Sequence, residues 1–386
     1  MGDESSAGAG RPVPGEAAAV RREPENAVLA ELMAQIARAG VDALAIPPGD
    51  DLFYLLGFSP VADERPCYLL TGGAGAAFVV PSLNADQAVC HTGLPIFPYT
   101  DAEGPGAALA AAARAAGLAP ACRRLAVGDA MRVDALLRLM ELWPGARPEL
   151  ASALVGPLRL RKSEAELARL LASAALADRA LEAAVGACRA GISEREVAEA
   201  VNRAFLQGGA AETLFAIVAS GPNSSYPHHH TSGRRLAVGE PLVIDIGCRL
   251  EGYASDITRV AFLGEPSPEY REIHDVVEAA VQAGMAAVGP GAACAAVDRA
   301  ARGVIERAGY GEYFTHRTGH GIGVSVHEPP YLTGSNDQLL ETGMVFSVEP
   351  GIYLPGRFGV RLEEIVAVTA DGCRRLSRLP RDIFTV

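Results

Sequence analysis

Basic residues are scarce in this chain, and lysine is almost absent. Lys162 is the only lysine among 34 Lys and Arg residues, which face 46 Asp and Glu residues and leave a net charge of −12. Nucleic acid is therefore excluded as an expected partner, because no excess of basic side chains is available to neutralise phosphates. The chain also has no run of about 18 apolar residues, so no membrane-spanning helix and no membrane partner are expected.

Paired cysteines are missing as well. The seven cysteines are scattered singly without a C-x-x-C pair, which is typical of reduced and mostly buried thiols. The first twenty residues contain early acidic residues and no apolar core, unlike a signal peptide. These features together predict a cytoplasmic protein. The sequence also contains no G-x-S-x-G elbow, P-loop, H-E-x-x-H helix or dinucleotide fingerprint, so those catalytic classes find little support.

Composition and patterning divide the chain into three parts. Residues 1–22 are rich in Gly, Ala, Pro and Glu, and we expect a disordered tail there. Residues 23–157 begin with a helical pattern from about residue 25 and then alternate short apolar runs with helical ones, which indicates an α/β domain. Residues 158–386 form the second domain, where helical segments give way to β-branched strands.

The second domain carries clear start signals for helices and two pairs of strands. Ser163 with Glu166, and Ser193 with Glu196, form capping boxes that predict helix N-termini. Further helices are predicted over 268–288 and 292–308. The predicted strands are a hairpin of 242–247 with 257–264, and a second pair of 344–354 with 360–369.

Four carboxylates and one histidine lie inside apolar or glycine-rich segments of these strands: Asp245, Asp256, His320, Glu349 and Glu363. A single acid at a strand end is most often solvated or salt-bridged. The combination favours a shared cation site, because burying so many charges is costly unless they are paired or bind metal. Four carboxylates balance two divalent cations, and this donor set suits Mn²⁺ or Co²⁺, and also Zn²⁺ or Fe²⁺.

The motifs VIDIG, SDITR, HRTGHGIG, VHEPP, SVEPGIY and GVRLEE resemble those of the pita-bread metallopeptidases, from about residue 160 to 386. That family includes proline dipeptidase, aminopeptidase P and methionine aminopeptidase. DLFYLLGF (51–58) resembles the creatinase-like N-terminal domain of the proline-directed members. The resemblance implies an α/β (α+β) fold: a pita-bread catalytic domain with pseudo-twofold strand pairs, preceded by a creatinase-like domain. Methionine aminopeptidases generally lack the N-terminal domain, and creatinase lacks the metal ligands.

The resemblance also assigns roles to the five candidate ligands. Asp245 would bind one metal ion, His320 and Glu349 would bind the other, and Asp256 and Glu363 would bridge the two. Glu349 would in addition accept the proton of the attacking water and pass it to the leaving nitrogen.

Four further residues match family positions around the substrate. His228 and His327 would donate hydrogen bonds to the substrate or the tetrahedral intermediate. His316 would line the proline pocket, and Arg361 would orient nearby carboxylates. We expect the neighbouring His229 and His230 to lie in a solvated loop.

The function that the resemblance implies is Xaa-Pro dipeptidase activity, on small peptides with proline at the second position. An aminopeptidase P acting on longer peptides is the alternative, and Arg357 is a candidate for capturing the free carboxylate that a dipeptidase must recognise. A non-peptidase amidohydrolase or lyase of the same fold, and a binding protein without turnover, also stay open. The family usually forms homodimers, so a homodimer is expected.

Overall fold

The computed structural model describes residues 14–386, with side chains from residue 27 onward. The chain divides into two compact units, Met1–Leu158 and Arg159–Val386. Among the described residues, no helix combines the length and the apolar character needed to cross a membrane. The helices are α1 Pro14–Ala39, α2 Asp50–Leu56, α3 Ser82–His91, α4 Gly106–Ala115, α5 Val133–Leu142, α6 Ser152–Leu160, α7 Glu164–Ala187, α8 Glu194–Gln207, α9 Pro268–Ala286 and α10 Cys294–Arg307.

The first helix starts earlier than the apolar pattern indicates. Helix α1 begins at Pro14, whereas the pattern places its start near residue 25. Proline suits the first position of a helix, and the residues that follow are rich in Ala, Glu and Arg, which favour helix without contributing an apolar stripe. Residues 1–13 of the predicted tail lie outside the described part of the chain.

The first unit is built on a six-stranded sheet of order β4-β3-β2-β1-β5-β6. Strand β1 pairs parallel with β5 and antiparallel with β2, so the sheet is mixed. The strands are β1 Ala43–Ile46, β2 Tyr68–Thr71, β3 Ala76–Pro81, β4 Ile96–Tyr99, β5 Arg124–Val127 and β6 Arg147–Leu150.

Both faces of this sheet are buried. In β1, Leu44 and Ile46 belong to one hydrophobic cluster, while Ala43 and Ala45 belong to another. Successive side chains of a strand point to opposite faces, so a strand covered on both sides is continuously apolar rather than alternating. This explains why the short apolar runs of the first unit predict strands.

The second unit contains two five-stranded sheets, with orders β18-β10-β8-β7 (β9 pairs with β8) and β12-β11-β13-β16-β17, and a two-stranded sheet β14-β15. Both predicted capping boxes are confirmed at the starts of α7 and α8. The strands are β7 Glu212–Ser220, β8 Pro241–Leu250, β9 Tyr253–Ala254, β10 Ile257–Phe262, β11 Gly319–Gly321, β12 Glu328–Leu332, β13 Val345–Val348, β14 Gly351–Leu354, β15 Phe358–Arg361, β16 Glu364–Thr369, β17 Gly372–Arg375 and β18 Phe384–Thr385.

The two predicted strand pairs differ in continuity. Strands β8 and β10 form the expected antiparallel pair, with Asp245 opposite Thr258. The second pair is broken: β13 pairs with β16 in one sheet, and β14 pairs with β15 in another. Glu349 lies in the break between β13 and β14, and Glu363 lies in the break between β15 and β16.

Candidate metal centre and substrate pocket

A cavity of about 620 Å³ lies in the second unit and gathers the predicted site residues. Its lining contains the five candidate ligands, three of the histidines, two arginines and several apolar side chains. The lining residues are Leu214, Phe215, Ile217, Pro227, His228, Asp245, Asp256, His316, Arg317, His320, Val326, His327, Glu349, Arg361 and Glu363.

Strand alternation directs Asp245 into this cavity. Its neighbours Ile244 and Ile246 point to the opposite face of β8, into a hydrophobic cluster. Asp256 immediately precedes β10, the partner strand of β8. One ligand oxygen from each of Asp245, Asp256 and Glu363 lies within 4.8 Å of the others.

The two glutamates lie at the strand breaks, and each accepts a hydrogen bond from a hydroxyl group. Ser347 Oγ donates to Glu349 Oε1 at 3.0 Å, and Thr258 Oγ1 donates to Glu363 Oε2 at 2.8 Å. A continuous strand would point neighbouring residues to opposite faces of one sheet. The breaks instead let both carboxylates reach the same cavity.

His320 lies in β11, where two glycines allow close approach of neighbouring backbone. A Cβ atom at Gly319 would lie 1.9 Å from the carbonyl oxygen of Ser347, and one at Gly321 would lie 2.2 Å from that of Pro329. His320 Nδ1 is 3.1 Å from the carbonyl oxygen of Gly321, an arrangement in which Nδ1 donates. Nε2 then faces the carboxylates, 3.2 Å from Glu349 Oε1 and 3.6 Å from Asp256 Oδ2.

The carboxylates strongly affect one another's protonation. Burial, followed by the charges of Glu363 and Asp245, raises the pKa of Asp256 well above its ordinary value. Burial and the charge of Glu349 do the same to the pKa of Glu363. For Glu349, burial acts in the same direction, but the hydrogen bond and the contact with His320 outweigh it and lower the pKa to about 2.

Arg361 supplies a positive charge at the edge of this cluster. Its Nη2 donates to Asp245 Oδ2 at 2.5 Å and its Nε donates to Thr258 Oγ1 at 3.2 Å. Its Nη1 donates to Tyr353 Oη at 2.8 Å and to the carbonyl oxygen of Pro227 at 3.2 Å. The guanidinium is thus committed to Asp245 and to its neighbours, and it partly offsets the burial that raises the pKa of that carboxyl.

The histidines outside the acid cluster divide into different environments. His327 packs edge-on against His320, with ring centroids 4.1 Å apart, and burial lowers its pKa to about 4. His316 is fixed between Tyr353 Oη, at 2.9 Å from Nε2, and the carbonyl oxygen of Arg317, at 2.7 Å from Nδ1. His228 is exposed on the wall of the cavity.

Two sequence-based expectations are wrong. Arg357 does not line the cavity; it forms an ion pair with Glu269 at 2.5 Å. His229 is not a solvated loop residue, because its Nε2 lies 3.0 Å from the buried carboxylate of Glu194. Both corrections arise from contacts between residues distant in sequence, which local patterns do not register.

Arg317 lines the cavity, and the sequence reasoning missed it. Its guanidinium lies over the ring of Tyr331 at 4.6 Å, and no ion pair joins it to a carboxylate of the described residues. The available signal was its position inside HRTGHGIG, between His316 and His320.

The residues present fit divalent cations. Asp245 Oδ1 and Glu363 Oε1 are buried and have no hydrogen-bond partner. Overlapping groups of carboxylate and imidazole ligands cover the cluster: Asp245 with Asp256 and Glu363, His320 with Glu349 and Glu363, and Asp256 with His320 and His327. Unpartnered buried carboxylate oxygens are costly unless a cation neutralises them, and oxygen-rich ligands with one or two imidazoles suit hard or borderline divalent metals.

Comparison with known proteins agrees with this chemistry. The model of metallopeptidase family M24 matches residues 168–370, and that of the creatinase/prolidase N-terminal domain matches residues 29–161. The probable dipeptidase PepE of Mycobacterium tuberculosis is 38% identical over 364 residues, which cover 93% of this chain and 96% of that protein. The Xaa-Pro dipeptidase of Pyrococcus horikoshii is 31% identical over 345 residues, covering 89% and 95%.

Among solved structures, a recombinant prolidase from Thermococcus sibiricus superposes with a TM-score of 0.88 at 32% identity, covering 92% of this chain and 98% of that one. The fold and the ligand cluster define a metal-dependent hydrolase. The chain belongs to metallopeptidase family M24 and carries the N-terminal domain of the creatinase/prolidase type. The family and the fold class expected from the motifs are therefore confirmed.

Proposed function

We propose that this protein is a Xaa-Pro dipeptidase, which hydrolyses the bond between an N-terminal residue and a C-terminal proline. The observation that carries the proposal is a cation, Arg317, in the same cavity as the acid cluster and without a carboxylate of its own. Relatives named dipeptidase, Xaa-Pro dipeptidase and prolidase align over nearly the whole chain, which supports the same activity here.

Two divalent cations are proposed to bind to the five ligands together. The ligands are Asp245, Asp256, His320, Glu349 and Glu363. When bound, such a pair of cations supplies an activated water and polarises the scissile carbonyl. Mn²⁺ or Co²⁺ suits this donor set, with Zn²⁺ or Fe²⁺ as alternatives.

Glu349 is proposed to move the proton. Glu349 contributes a carboxylate oxygen to the ligand cluster, where it can accept the proton of the attacking water. Hydrolysis adds that hydroxyl group to the carbonyl carbon, and the proton passes from Glu349 to the prolyl nitrogen as the C–N bond breaks. This delivery is needed for departure, because the nitrogen leaves as a neutral amine only when it has been protonated.

His228 and His327 are proposed to donate hydrogen bonds to the substrate carbonyl as charge develops on its oxygen. The lowered pKa of His327 keeps its ring neutral at pH 7, with one N–H to donate. His316 is proposed to form a wall of the proline pocket, together with the apolar side chains of Phe215 and Val326 that also line the cavity. Arg361 holds Asp245 in its orientation.

Arg317 is proposed to bind the free carboxylate of the dipeptide. We expect Arg317→Gln to lower kcat/KM for Ala-Pro by about 10- to 100-fold, the effect of losing a charge-assisted hydrogen bond. The same variant should change the hydrolysis of Ala-Pro amide, which has no carboxylate, by much less. Arg357→Gln is the matched control, because Arg357 is exposed and lies outside the cavity.

The decisive experiment compares Ala-Pro, Ala-Pro-Ala and Ala-Ala-Ala as substrates of the Mn²⁺-loaded protein, with and without chelator. Chelator-sensitive cleavage of Ala-Pro alone would support the dipeptidase. Cleavage mainly of Ala-Pro-Ala would make the protein an aminopeptidase P, and no cleavage by metal-loaded protein would indicate a small-metabolite amide instead.

A cytoplasmic location and a homodimer stay predictions from the sequence and the family resemblance. The division into residues 23–157, creatinase-like, and 158–386, catalytic, is likewise our assignment.

A further inference from the structure

One buried carboxylate in the second unit lies outside the acid cluster and has a full set of partners. Glu194 lies in the first turn of α8, with no exposed surface. An ionised carboxylate in such a position is destabilising unless hydrogen bonds replace its lost hydration. Its partners therefore indicate what the residue does.

The donors to Glu194 come from Ser220, the last residue of β7, and from the segment that follows it. Oε1 accepts from Ser220 N at 2.8 Å, Ser220 Oγ at 2.8 Å and Asn223 Nδ2 at 2.9 Å. Oε2 accepts from Ser232 N at 3.0 Å and Ser232 Oγ at 2.7 Å, and it lies 3.0 Å from His229 Nε2. Burial acts to raise the pKa of Glu194, but these hydrogen bonds outweigh it and lower the pKa to about 2.

The two carboxylate oxygens of Glu194 bind opposite ends of one segment. Oε1 binds the beginning of residues 220–232, and Oε2 binds the end. We name residues 220–232 the histidine loop. Between these anchor points lie Pro227 and His228, the two residues of the loop that line the cavity.

Other contacts hold the ends of the histidine loop as well as its middle. Arg234 Nη1 donates to Ser220 Oγ at 2.8 Å, and Thr231 Oγ1 accepts from Val218 N and donates to the carbonyl oxygen of Ala216, each at 2.9 Å. Ser224 Oγ accepts from Gly359 N at 2.9 Å, and the carbonyl oxygen of Pro227 accepts from Arg361 Nη1 at 3.2 Å. Glu194 is the carboxylate that binds both ends of the loop at once, and it also contacts His229, the residue next to His228.

We propose that Glu194 is a positioning residue, which fixes the histidine loop through Ser220, His229 and Ser232 so that His228 is held at the substrate. Glu194 does not itself line the cavity. The proposal rests on the substrate-binding role given to His228 above, and it adds the residue on which that role depends.

The first test measures the loop itself and requires no substrate. In Glu194→Gln, an amide group replaces one oxygen and faces donors, so amide hydrogen exchange in a peptide covering residues 220–232 should become at least about 10-fold faster. His229→Gln leaves the bonds of Ser220 and Ser232 in place and should give a smaller increase in the same peptide. The matched controls are Glu196→Gln, in the same helical turn but exposed, and His230→Gln, the exposed neighbour.

The second test is a double-mutant cycle with His228→Ala, measured as kcat/KM for Ala-Pro in the Mn²⁺-loaded protein. Glu194→Gln alone should lower kcat/KM by about 10- to 100-fold, and its effect should largely disappear in the His228→Ala background, because the group being positioned is then gone. Metal content and melting temperature are measured on every variant, and His229→Gln replaces Glu194→Gln in the cycle if the latter fails to fold.

Unchanged exchange in the histidine loop would overturn the proposal, as would effects of Glu194→Gln and His228→Ala that simply multiply. If Ala-Pro is not hydrolysed at all, the proposed function fails, and the exchange comparisons of Glu194→Gln with Glu196→Gln and of His229→Gln with His230→Gln still decide whether Glu194 anchors the loop.

Discussion

Asp256 lies where several buried negative charges meet, so replacing it by asparagine should have opposite effects with and without metal. In the chelated protein, the ligand oxygens of Asp245, Asp256 and Glu363 lie within 4.8 Å of one another. At that distance and an effective dielectric constant of about 20, each pair of ionised carboxylates repels by about 3.5 kcal/mol.

Protonation limits this repulsion. Keeping one aspartic acid protonated at pH 7 costs about 4 kcal/mol, given its ordinary pKa of about 3.9. Repulsion at one carboxylate therefore destabilises the folded state by no more than this, because beyond it the carboxylate takes up a proton. Arg361 and His320 offset a further part. Asp256→Asn, which keeps the side chain's shape and removes the charge, should therefore raise the free energy of unfolding of the chelated protein by about 1–4 kcal/mol.

With excess Mn²⁺, the wild-type protein should be more stable than Asp256→Asn. Each site at a metal concentration of 100 times its Kd stabilises the folded state by about 2.7 kcal/mol. The variant has lost a proposed bridging ligand and should gain little of this, and its hydrolysis of Ala-Pro should be abolished. The assay is urea denaturation followed by circular dichroism, in EDTA and in Mn²⁺.

Asp298→Asn is the matched control. Asp298 is buried in the same unit, but its carboxylate forms an ion pair with Arg302 at 3.0 Å and accepts a hydrogen bond from Thr318 Oγ1 at 2.7 Å. Removing that charge should destabilise the protein in both buffers. A chelated Asp256→Asn protein less stable than wild type, or one that keeps its activity, would refute the reasoning.

Three further predictions concern stability. Lys162→Met should lower the free energy of unfolding, measured in urea, by about 1–3 kcal/mol, because Lys162 is buried and pairs with Glu328 at 2.5 Å. Arg159 would then be the remaining ion-pair partner of Glu328. An unchanged free energy of unfolding would contradict this prediction. Gly319→Ala should weaken Mn²⁺ binding in calorimetry and lower the melting temperature, since its Cβ would clash with backbone, whereas Gly93→Ala, with open space around it, should do neither. Glu194, whose pKa falls from 4.5 to about 2, should contribute stability on the order of 3 kcal/mol, present above pH 4.5 and lost as the pH falls towards 2. Acid titration of Glu194→Gln should lack this component.

Much of the second unit was predictable because its signals are local. The capping boxes at Ser163 and Ser193 each involve residues three apart, and the structure has both. The pairing of β8 with β10 follows from two β-branched runs joined by a short connection, which is the usual hairpin pattern. The acid cluster itself was expected from carboxylates placed within apolar strands, a local conflict that marks functional sites.

The breaks at Glu349 and Glu363 were not predictable in the same way. Residues 344–354 and 360–369 are each predicted as one strand from their apolar runs, although Pro350 and Gly351 directly after Glu349 are a turn signal that marks the first break. The strands divide because β13 and β16 join the sheet of β11, whereas β14 and β15 pair only with each other. Such a choice depends on partners far away in sequence.

The two arginines show the same limit. Arg317 and Arg357 are both single cations near glycine-rich segments, and the only sequence signal that separates them is the position of Arg317 between His316 and His320. The answer comes from Glu269, which is 88 residues from Arg357 and holds it on the surface. Arg317 is recognised as the functional cation because no carboxylate of the described residues forms an ion pair with it.

Four buried acids of the second unit can be sorted by the same criterion. Glu194 and Glu328 are as buried as the candidate ligands, but serine, asparagine and histidine groups satisfy the first, and Lys162 and Arg159 satisfy the second. Asp245 and Glu363 each keep one buried oxygen without any donor. Glu364 also keeps one oxygen without a donor, but Arg259 and Arg381 already neutralise its charge. An unpartnered buried carboxylate oxygen is destabilising and a hydrogen-bonded one is not. Glu194 and Glu328 therefore need no ligand from solution, whereas Asp245 and Glu363 require a cation. Hence neutralising Glu194 should loosen a loop whether or not metal is present, while neutralising Asp256 should strengthen the protein until metal is added.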